Sequence, residues 1–168
     1  METGKKIAAG VLPICSKTGR ILLVRRGPHQ SHAGTWACFG GKFEPEIDKG
    51  PKDNAKREFA EESMFTGKYN ISRTPLYINK NNMSMFYTYI GIFQEEFVPD
   101  LTGAGESEEY GWFSLEELPE NLLGGFKEAI VNKNTTLKKI IFNIYLRETL
   151  CPKLRTKYFF LIIYKNMR

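Results

Sequence analysis

Three glutamates, Glu58, Glu61 and Glu62, have the spacing in this chain that is best suited to chemistry. They stand at positions i, i+3 and i+4, so in a helix all three carboxylates lie on one face. Like charges at these spacings repel by about 0.2–0.5 kcal/mol per pair unless a cation compensates them. Hard divalent cations, Mg²⁺ above all, prefer such oxygens and keep water ligands that substrate phosphates can replace. The pattern predicts a site for metal and phosphate, and the alternative is a solvated acidic surface.

A helix and a glycine turn are the elements that must position these carboxylates. Residues 53–62 contain strong helix formers and no helix breaker, and either Asp53 or Asn54 can cap the start. Gly40 and Gly41 precede the helix and allow the backbone to approach a ligand closely. We therefore expect the turn, the helix and the carboxylates to form one site.

The segment 40–65 resembles the Nudix box, the signature of hydrolases that act on nucleoside diphosphates linked to another moiety. Gly41 matches the box glycine, and the Arg-Glu-apolar-x-Glu-Glu core is matched by Arg57, Glu58, Phe59, Glu61 and Glu62. The resemblance implies an α/β fold, the Nudix-type α/β/α sandwich with a mixed sheet. It also implies an enzyme that cleaves a phosphoanhydride bond. The pattern is most similar to that of the small nucleotide-pool-sanitising enzymes, which makes a nucleoside triphosphate or a related nucleotide the expected substrate.

The spacing within the box departs from the family pattern. The interval between the glycine and Arg57 is two residues longer than in the family, which puts Lys49 where the family has a glutamate. Glu46 or Asp48 can take the role of that glutamate if the intervening residues bulge out as a turn. Arg57 would then pair with one of these two carboxylates and hold the loop on the helix.

The resemblance also implies a cofactor and a ligand set. Mg²⁺, or Mn²⁺ in its place, would be held by Glu58, Glu61, Glu62 and the backbone carbonyl of Gly41. Such a metal lowers the pKa of a bound water and binds a phosphate oxygen. Glu61 and Arg57 are the residues of the box that we expect to be catalytic.

A general base can come from an acidic loop that precedes the Trp-Phe-Ser sequence at 112–114. In relatives a glutamate shortly before such a strand has this role, and we rank Glu106 first and Glu109 second, with Glu108 also present. The alternative for each is a solvated loop carboxylate.

Four further residues are expected to contact the substrate. Arg26 resembles the family arginine that touches phosphate, for which a guanidinium offers two parallel donors, and Lys42 can assist it. Trp36 can stack on a base or belong to the core. Asn121 occupies the place where purine-recognising relatives read a base edge, and its alternative is a helix N-cap.

The remaining elements follow from periodicity and turn residues. We predict strands at 6–15, 21–26, 36–39, 74–78, 84–93 and 110–113 and helices at 122–133 and 135–148. An apolar stripe on the last helix comprises Leu137, Ile140, Ile141, Ile144 and Tyr145. Because Met64 stands where the family has a helix-ending glycine, we expect the first helix to continue to about Gly67. Residues 1–150 form the hydrolase domain, and residues 151–168 form a basic and apolar extension packed on it.

Composition limits the remaining choices. Three cysteines without metal spacing suit a reducing, cytoplasmic location, and no apolar run approaches the ~18 residues of a membrane span. The net charge of +5 is concentrated after Pro119. This basic third leaves RNA open as a partner, with removal of a cap or of a 5′ pyrophosphate as an alternative activity. A non-catalytic nucleotide sensor is a third reading, and either a monomer or a homodimer is compatible with the sequence.

Overall fold

An eight-stranded mixed sheet forms the centre of the protein, in a computed structural model that describes residues 5–103 and 105–149. In chain order the elements are β1 Lys6–Cys15, β2 Ile21–Arg26, β3 Trp36–Ala37, β4 Phe39–Lys42, α1 Pro51–Ser63, β5 Asn70–Ile71, β6 Tyr77–Lys80, β7 Ser84–Phe93, β8 Ser107–Phe113 and α2 Gly124–Thr149.

The sheet is organised around β1, whose two sides carry different kinds of partner. On one side β1 runs parallel to β7 along its whole length, from the pair Lys6 and Ser84 to the pair Cys15 and Phe93. On the other side it pairs antiparallel with β4 near its start and with β2 near its end. β2 in turn pairs with β3 and β8, and β7 pairs with β5 and β6. The strand that carries the double glycine therefore lies directly against the central strand.

One helix covers each face of the sheet, because alternate residues of the central strands point to opposite sides. Val11, Leu22 and Val24 pack with Ala55 and Phe59 of α1. Leu12, Ile14 and Leu23 pack with residues of α2 that include Ile130 and Leu137. The predicted α/β/α arrangement with a mixed sheet is therefore confirmed.

The start of α1 differs from the prediction. The helix begins at Pro51, which is tolerated in the first turn because its missing N–H would have no partner there, and Gly50 is the N-cap without a side-chain cap bond. Asn54 is fully buried instead of capping the helix. Asp53 lies in the first turn, where a carboxylate favours the positive end of the helix dipole.

The expectation that α1 continues to about Gly67 is wrong. The helix ends at Ser63, and Met64 adopts the left-handed conformation with φ 51°. The Ser63 hydroxyl donates to the Phe59 carbonyl at 2.6 Å and accepts from the N–H of Phe65 at 3.2 Å. Phe65 then packs its ring at 4.3 Å, centroid to centroid, from that of Phe97. These contacts offset the roughly 1–2 kcal/mol that a non-glycine residue loses in this conformation.

Several other boundaries also shift. The predicted strand 36–39 is broken at Cys38 because β3 pairs with β2 whereas β4 pairs with β1. The two predicted C-terminal helices are one helix, since Asn134 has only a modest cost inside a helix. Within the predicted apolar stripe, Leu137 and Ile144 are buried, but Tyr145 is 53% exposed. The strand β5 was not predicted, β6 covers Tyr77–Lys80 instead of 74–78, and β8 begins at Ser107, three residues before the predicted strand 110–113.

The extension 151–168 lies outside the described residues. Within the part that is described, no helix combines the length and apolar character needed to cross a bilayer.

Candidate active site

Arg57 joins the loop before α1 to the helix. Its Nε donates to Oδ1 of Asp48 and its Nη2 to Oδ2, each at 3.0 Å. The Asp48 side chain is almost fully buried, and this pair of bonds holds its pKa below the usual value. Of the two candidates Glu46 and Asp48, it is therefore Asp48 that pairs with Arg57, whose Nη1 also lies 3.5 Å from Oε1 of Glu44.

The same loop is fastened at two more points. Oδ2 of Asp48 accepts the backbone N–H of Glu44 at 2.8 Å. The carbonyl of Lys42 accepts bonds from Nδ2 of Asn54 at 2.9 Å and from Nη2 of Arg57 at 3.0 Å. Asn54 was missed as a site residue, although it stands four residues before Glu58 on the same helical face. The lengthened interval of the box is thus accommodated as a closed loop bound to α1.

The three box glutamates have different environments. Glu62 is 8% exposed, and its Oε2 accepts the N–H of Gly40 at 2.9 Å. The Glu58 side chain is 14% exposed and contacts Nη2 of Arg57 at 2.9 Å. The Glu61 side chain is 56% exposed and contacts Nη1 of Arg57 at 3.0 Å. Two of the three carboxylates therefore share one guanidinium, and the third is fixed by the glycine turn.

Gly41 lies so close to the carboxylate of Glu58 that a side chain at position 41 would push this carboxylate aside. A Cβ at position 41 would stand 2.3 Å from Oε2 of Glu58, which is well inside van der Waals contact. The absence of a side chain at Gly41 therefore allows the backbone of β4 to approach the Glu58 carboxylate.

Burial and mutual repulsion disfavour the charged forms of two of these carboxylates. Loss of solvation raises the pKa of Glu62 to about 8, and the charges of Glu106 and Glu58 add to this effect. The N–H of Gly40 and the charge of Arg26 act in the opposite direction. The pKa of Glu58 is also raised, mainly by burial, with Arg57 opposing the shift. A cation bound here would favour both ionised carboxylates.

The donor set fits a hard divalent cation in its chemistry, because the carboxylates of Glu58 and Glu62 are largely enclosed and lie next to the half-buried glycine turn. As described, however, no three acidic, histidine or cysteine side chains within residues 5–103 and 105–149 converge closely enough to hold a metal ion. The physical reason is Arg57, which draws oxygens of Glu58 and Glu61 toward its own guanidinium. Glu61, with 56% of its side chain exposed, is the least enclosed of the three box glutamates.

The acidic loop separates its glutamates into two groups. Glu106 is near enough to Glu58 and Glu62 to raise the pKa of both carboxyls. Glu108 and Glu109 instead contact Arg25, at Nη1 and Nε, each at 2.7 Å. Glu109 therefore forms an ion pair with Arg25, while Glu106 lies near the carboxylates of Glu58 and Glu62. The sequence analysis did not identify Arg25 as a partner of this loop. Strand alternation does, however, predict that Arg25 and Arg26 point to opposite faces of the sheet.

Arg26 lies on the α1 side of the sheet, where its charge lowers the pKa of Glu62. Its Nε donates to the carbonyl of Ser31 at 2.8 Å, and its Nη2 lies 3.4 Å from Oε1 of Gln30. Both partners belong to the loop after β2. The side chain of Lys42 is exposed at the end of β4. Arg26 thus borders the carboxylate cluster, and Lys42 stands at its outer edge.

Trp36 and Asn121 lie next to each other. The N–H of Trp36 donates to the carbonyl of Asn121 at 2.8 Å, and the Trp36 ring packs edge to face on Phe113 at 5.2 Å. Trp36 packs with the cluster on the α2 side of the sheet, opposite the box helix. Asn121 is exposed and is not an N-cap, because α2 begins only at Gly124.

Comparison with solved structures finds relatives of similar architecture. The MutT protein from Methanosarcina mazei Go1 is 24% identical, with 82% of this chain and 99% of that chain covered and a TM-score of 0.61. The Nudix hydrolase RenU from M. smegmatis is 23% identical, with 82% and 88% covered and a TM-score of 0.62. A bifunctional NMN adenylyltransferase/ADP ribose pyrophosphatase from Francisella tularensis, complexed with AMP and a Mn ion, is 16% identical over 79% of this chain and 42% of that chain, with a TM-score of 0.55. At these identities the likeness concerns the fold.

Family membership rests on the sequence itself. Comparison with curated protein sequences gave no match. The family model of the NUDIX domain matches residues 4–132. This range includes Arg57, the three box glutamates and the acidic loop with Glu106. This chain belongs to the NUDIX family and is a Nudix hydrolase.

Proposed function

We propose that this hydrolase cleaves a phosphoanhydride bond of a nucleoside triphosphate or a related nucleotide with the help of a divalent cation. The products would be a nucleoside monophosphate and a second phosphate compound. The observation that carries this proposal is the placement of Glu58 and Glu62 beneath the glycine turn, with the pKa of each raised. A cation that neutralises both carboxylates and a bound polyphosphate would remove the electrostatic cost of this arrangement.

Mg²⁺ is the proposed cofactor, with Mn²⁺ as a substitute. The ligands would be Glu58, Glu61, Glu62 and the carbonyl of Gly41. When bound, the ion supplies a water of lowered pKa and neutralises charge on the phosphate oxygens. The Mn ion in the Francisella tularensis relative is compatible with such a site.

The chain's own residues then have distinct roles. Asp48 holds the guanidinium of Arg57, which positions Glu58 and Glu61. Glu106 would accept a proton from the attacking water at a carboxylate oxygen. The water oxygen would bond to phosphorus as the bridging P–O bond breaks, and the bridging oxygen would leave with the second product. Arg26 would neutralise a phosphate oxygen beside the cluster.

The base of the nucleotide is proposed to lie near Trp36 and Asn121. This proposal is supported by the backbone hydrogen bond from Trp36 to Asn121, which joins the residue that carries the indole ring to the residue that carries the exposed amide. An amide can donate and accept hydrogen bonds with a base edge, and an indole ring can contact its face. Lys42, at the end of β4, would add a cation near the phosphates.

A second candidate substrate is ADP-ribose, because the structurally similar Francisella tularensis protein is an ADP ribose pyrophosphatase. The RNA alternative is supported by exposed lysines on α2, which include Lys127 and Lys139. A panel of nucleoside triphosphates, ADP-ribose, NADH, dinucleoside polyphosphates and capped RNA, each with Mg²⁺, separates these cases. Turnover of ADP-ribose or NADH alone would remove the triphosphate proposal, whereas nucleotide binding without any turnover would indicate a sensor.

The site itself is tested with Glu61→Gln and a matched control, Glu46→Gln. Both substitutions replace an exposed glutamate in the box segment. Of these two residues, only Glu61 contacts Arg57 and belongs to the proposed ligand set. We expect Glu61→Gln to lose activity by about 10²-fold, because a charged oxygen of the proposed ligand set is removed, and to weaken the rise in Tm that Mn²⁺ produces. Full activity and an unchanged Mn²⁺ response in Glu61→Gln would refute the assignment.

A further inference from the structure

The strand that follows Glu106 carries an irregularity at its first residues. In the pairing of β2 with β8, Arg25 stands opposite Glu109, but Arg26 stands opposite Ser107. Glu108 is thus an extra residue on β8, which is the arrangement of a β-bulge. Bulges bend a strand and redirect the side chains next to them, and they are common beside active sites.

Arg25 contacts two successive glutamates of the bulge. Its Nη1 contacts Oε1 of Glu108 and its Nε contacts Oε2 of Glu109, each at 2.7 Å. Two neighbouring residues of a regular strand point to opposite faces, so one guanidinium can hold both carboxylates only because the bulge brings them together. The Arg25 contacts and the bulge therefore depend on each other.

Arg25 lies on the face of the sheet away from the carboxylate cluster. Leu23 and Arg25 alternate with Val24 and Arg26 along β2, and Leu23 packs on the α2 side whereas Val24 packs on the α1 side. Arg25 therefore does not lie in the proposed metal and phosphate site. An effect of Arg25 on the reaction would have to pass through the loop that it holds.

That loop is also fixed at its two ends. At one end the N–H of Asp100 donates to the carbonyl of Ser63, the last residue of α1, at 3.0 Å. At the other end the N–H of Gly27 donates to the carbonyl of Glu106 at 2.8 Å. Immediately after Glu106 the chain enters the bulge. The direction in which Glu106 leaves the sheet is therefore set by the Gly27 bond and by the bulge.

We propose that Arg25 is a positioning residue for Glu106: by holding Glu108 and Glu109 together it fixes the start of β8 and so aims the Glu106 carboxylate at Glu58 and Glu62. This inference rests on the proposed function, in which Glu106 is the general base. It gives a role to the two glutamates of the loop that do not face the cluster.

The test is a double-mutant cycle of Arg25→Gln and Glu106→Gln in the full chain, with the best substrate of the panel. We expect Arg25→Gln to lower kcat by about 10- to 100-fold, as a small misplacement of a catalytic group does, with KM little changed. In the Glu106→Gln background the same substitution should change kcat by less than about twofold, because the group that Arg25 positions is already absent. A higher enzyme concentration keeps the residual rate measurable.

Arg20→Gln is the matched control. Arg20 binds Glu96 through Nε and Nη2, each at 2.7 Å, so it is a comparable surface guanidinium, 45% exposed against 36% for Arg25, and its carboxylate partner is neither Glu108 nor Glu109. We expect Arg20→Gln to leave kcat unchanged while lowering Tm as much as Arg25→Gln does. The double variant Glu108→Gln/Glu109→Gln removes the same two ion pairs by changing the carboxylates instead of Arg25. It should reproduce the kcat of Arg25→Gln.

The outcomes separate the two proposals. If the wild-type enzyme is active and Arg25→Gln keeps the full kcat, the positioning role of Arg25 is overturned. The proposed function is not affected by this result. An equal loss of kcat in both backgrounds, or a change confined to KM, would mean that Arg25 acts independently of Glu106 and would also overturn it. Wild-type kcat in Glu106→Gln removes the assigned base, and a wild-type protein without turnover of any substrate removes the proposed function together with this inference.

Discussion

Replacing Asp48 by Asn tests the central contact of the site, the bond pair between Asp48 and Arg57. The substitution keeps the shape of the side chain but removes its charge and one acceptor oxygen. Both Arg57 bonds are 3.0 Å long, and the Asp48 side chain is only 3% exposed, so the lost interaction is shielded from solvent.

The expected loss of stability follows from these contacts. A hydrogen bond to a charged group contributes about 1.5–3 kcal/mol, and removal of one partner of a buried ion pair costs about 3–5 kcal/mol. Arg57 keeps Glu58 and Glu61 as partners, which favours the lower end, so we expect about 2 kcal/mol. For a domain of this size the Tm should fall by about 4–8 °C.

Thermal unfolding followed by circular dichroism at pH 7 measures this loss, with Glu46→Gln as the control. Glu46 is exposed in the same loop, so its substitution should change stability by less than about 0.5 kcal/mol. Because Arg57 lowers the pKa of Asp48 in the folded protein, the stability that this pair contributes is complete above the unfolded pKa of 3.8. It is lost as the pH falls below that value through the lower folded pKa. Equal Tm values for the two variants, or a larger loss in Glu46→Gln, would refute the assignment of Asp48 as the partner of Arg57.

Three further predictions concern the glycine turn, the cluster and the helix end. Burial raises the pKa of Glu62 from 4.5 to about 8, so in chelator the wild type should lose stability as the pH rises between these values, and urea unfolding at pH 5 and pH 8 should show that Glu62→Gln lacks this loss. Gly41→Ala would place a Cβ 2.3 Å from Oε2 of Glu58 and so displace the end of this flexible side chain; we expect kcat to fall by at least 10²-fold while the free energy of unfolding, measured in urea, falls by less than about 1 kcal/mol, and a fully active variant would contradict the described approach. Met64→Gly relieves the left-handed backbone at φ 51° and should raise the free energy of unfolding by about 0.5–1 kcal/mol without changing kcat; a decrease would show that the Met64 side chain contributes more than its conformation costs.

The amino-acid sequence by itself determined the class of fold and the identity of the acidic cluster. Glu58, Glu61 and Glu62 share a face because helical periodicity is a local property, and the Gly-Gly sequence marks a close approach whatever surrounds it. Long, mainly apolar runs likewise predicted the two central strands β1 and β7, because a strand that is buried on both faces needs apolar residues at successive positions. The roles of these residues in catalysis remain predictions.

The local limits of the elements were less predictable. Met64 ends α1 because Ser63 and Phe65 find partners at that point, and Phe65 finds them in an aromatic cluster built from distant segments. Asn54 has the composition of a capping residue, but burial beside Lys42 gives it a tertiary hydrogen bond instead. In both cases long-range contacts outweighed a local preference of about 1 kcal/mol.

Only the tertiary structure decided between Glu46 and Asp48 as the partner of Arg57, and between Glu106 and Glu109 as the glutamate that faces the cluster. Each pair consists of chemically equivalent carboxylates a few residues apart in a loop, where no periodicity fixes the direction of a side chain. The choice depends on how the loop closes on α1 and on the bulge opposite Arg25, and both features arise from contacts between segments far apart in the chain.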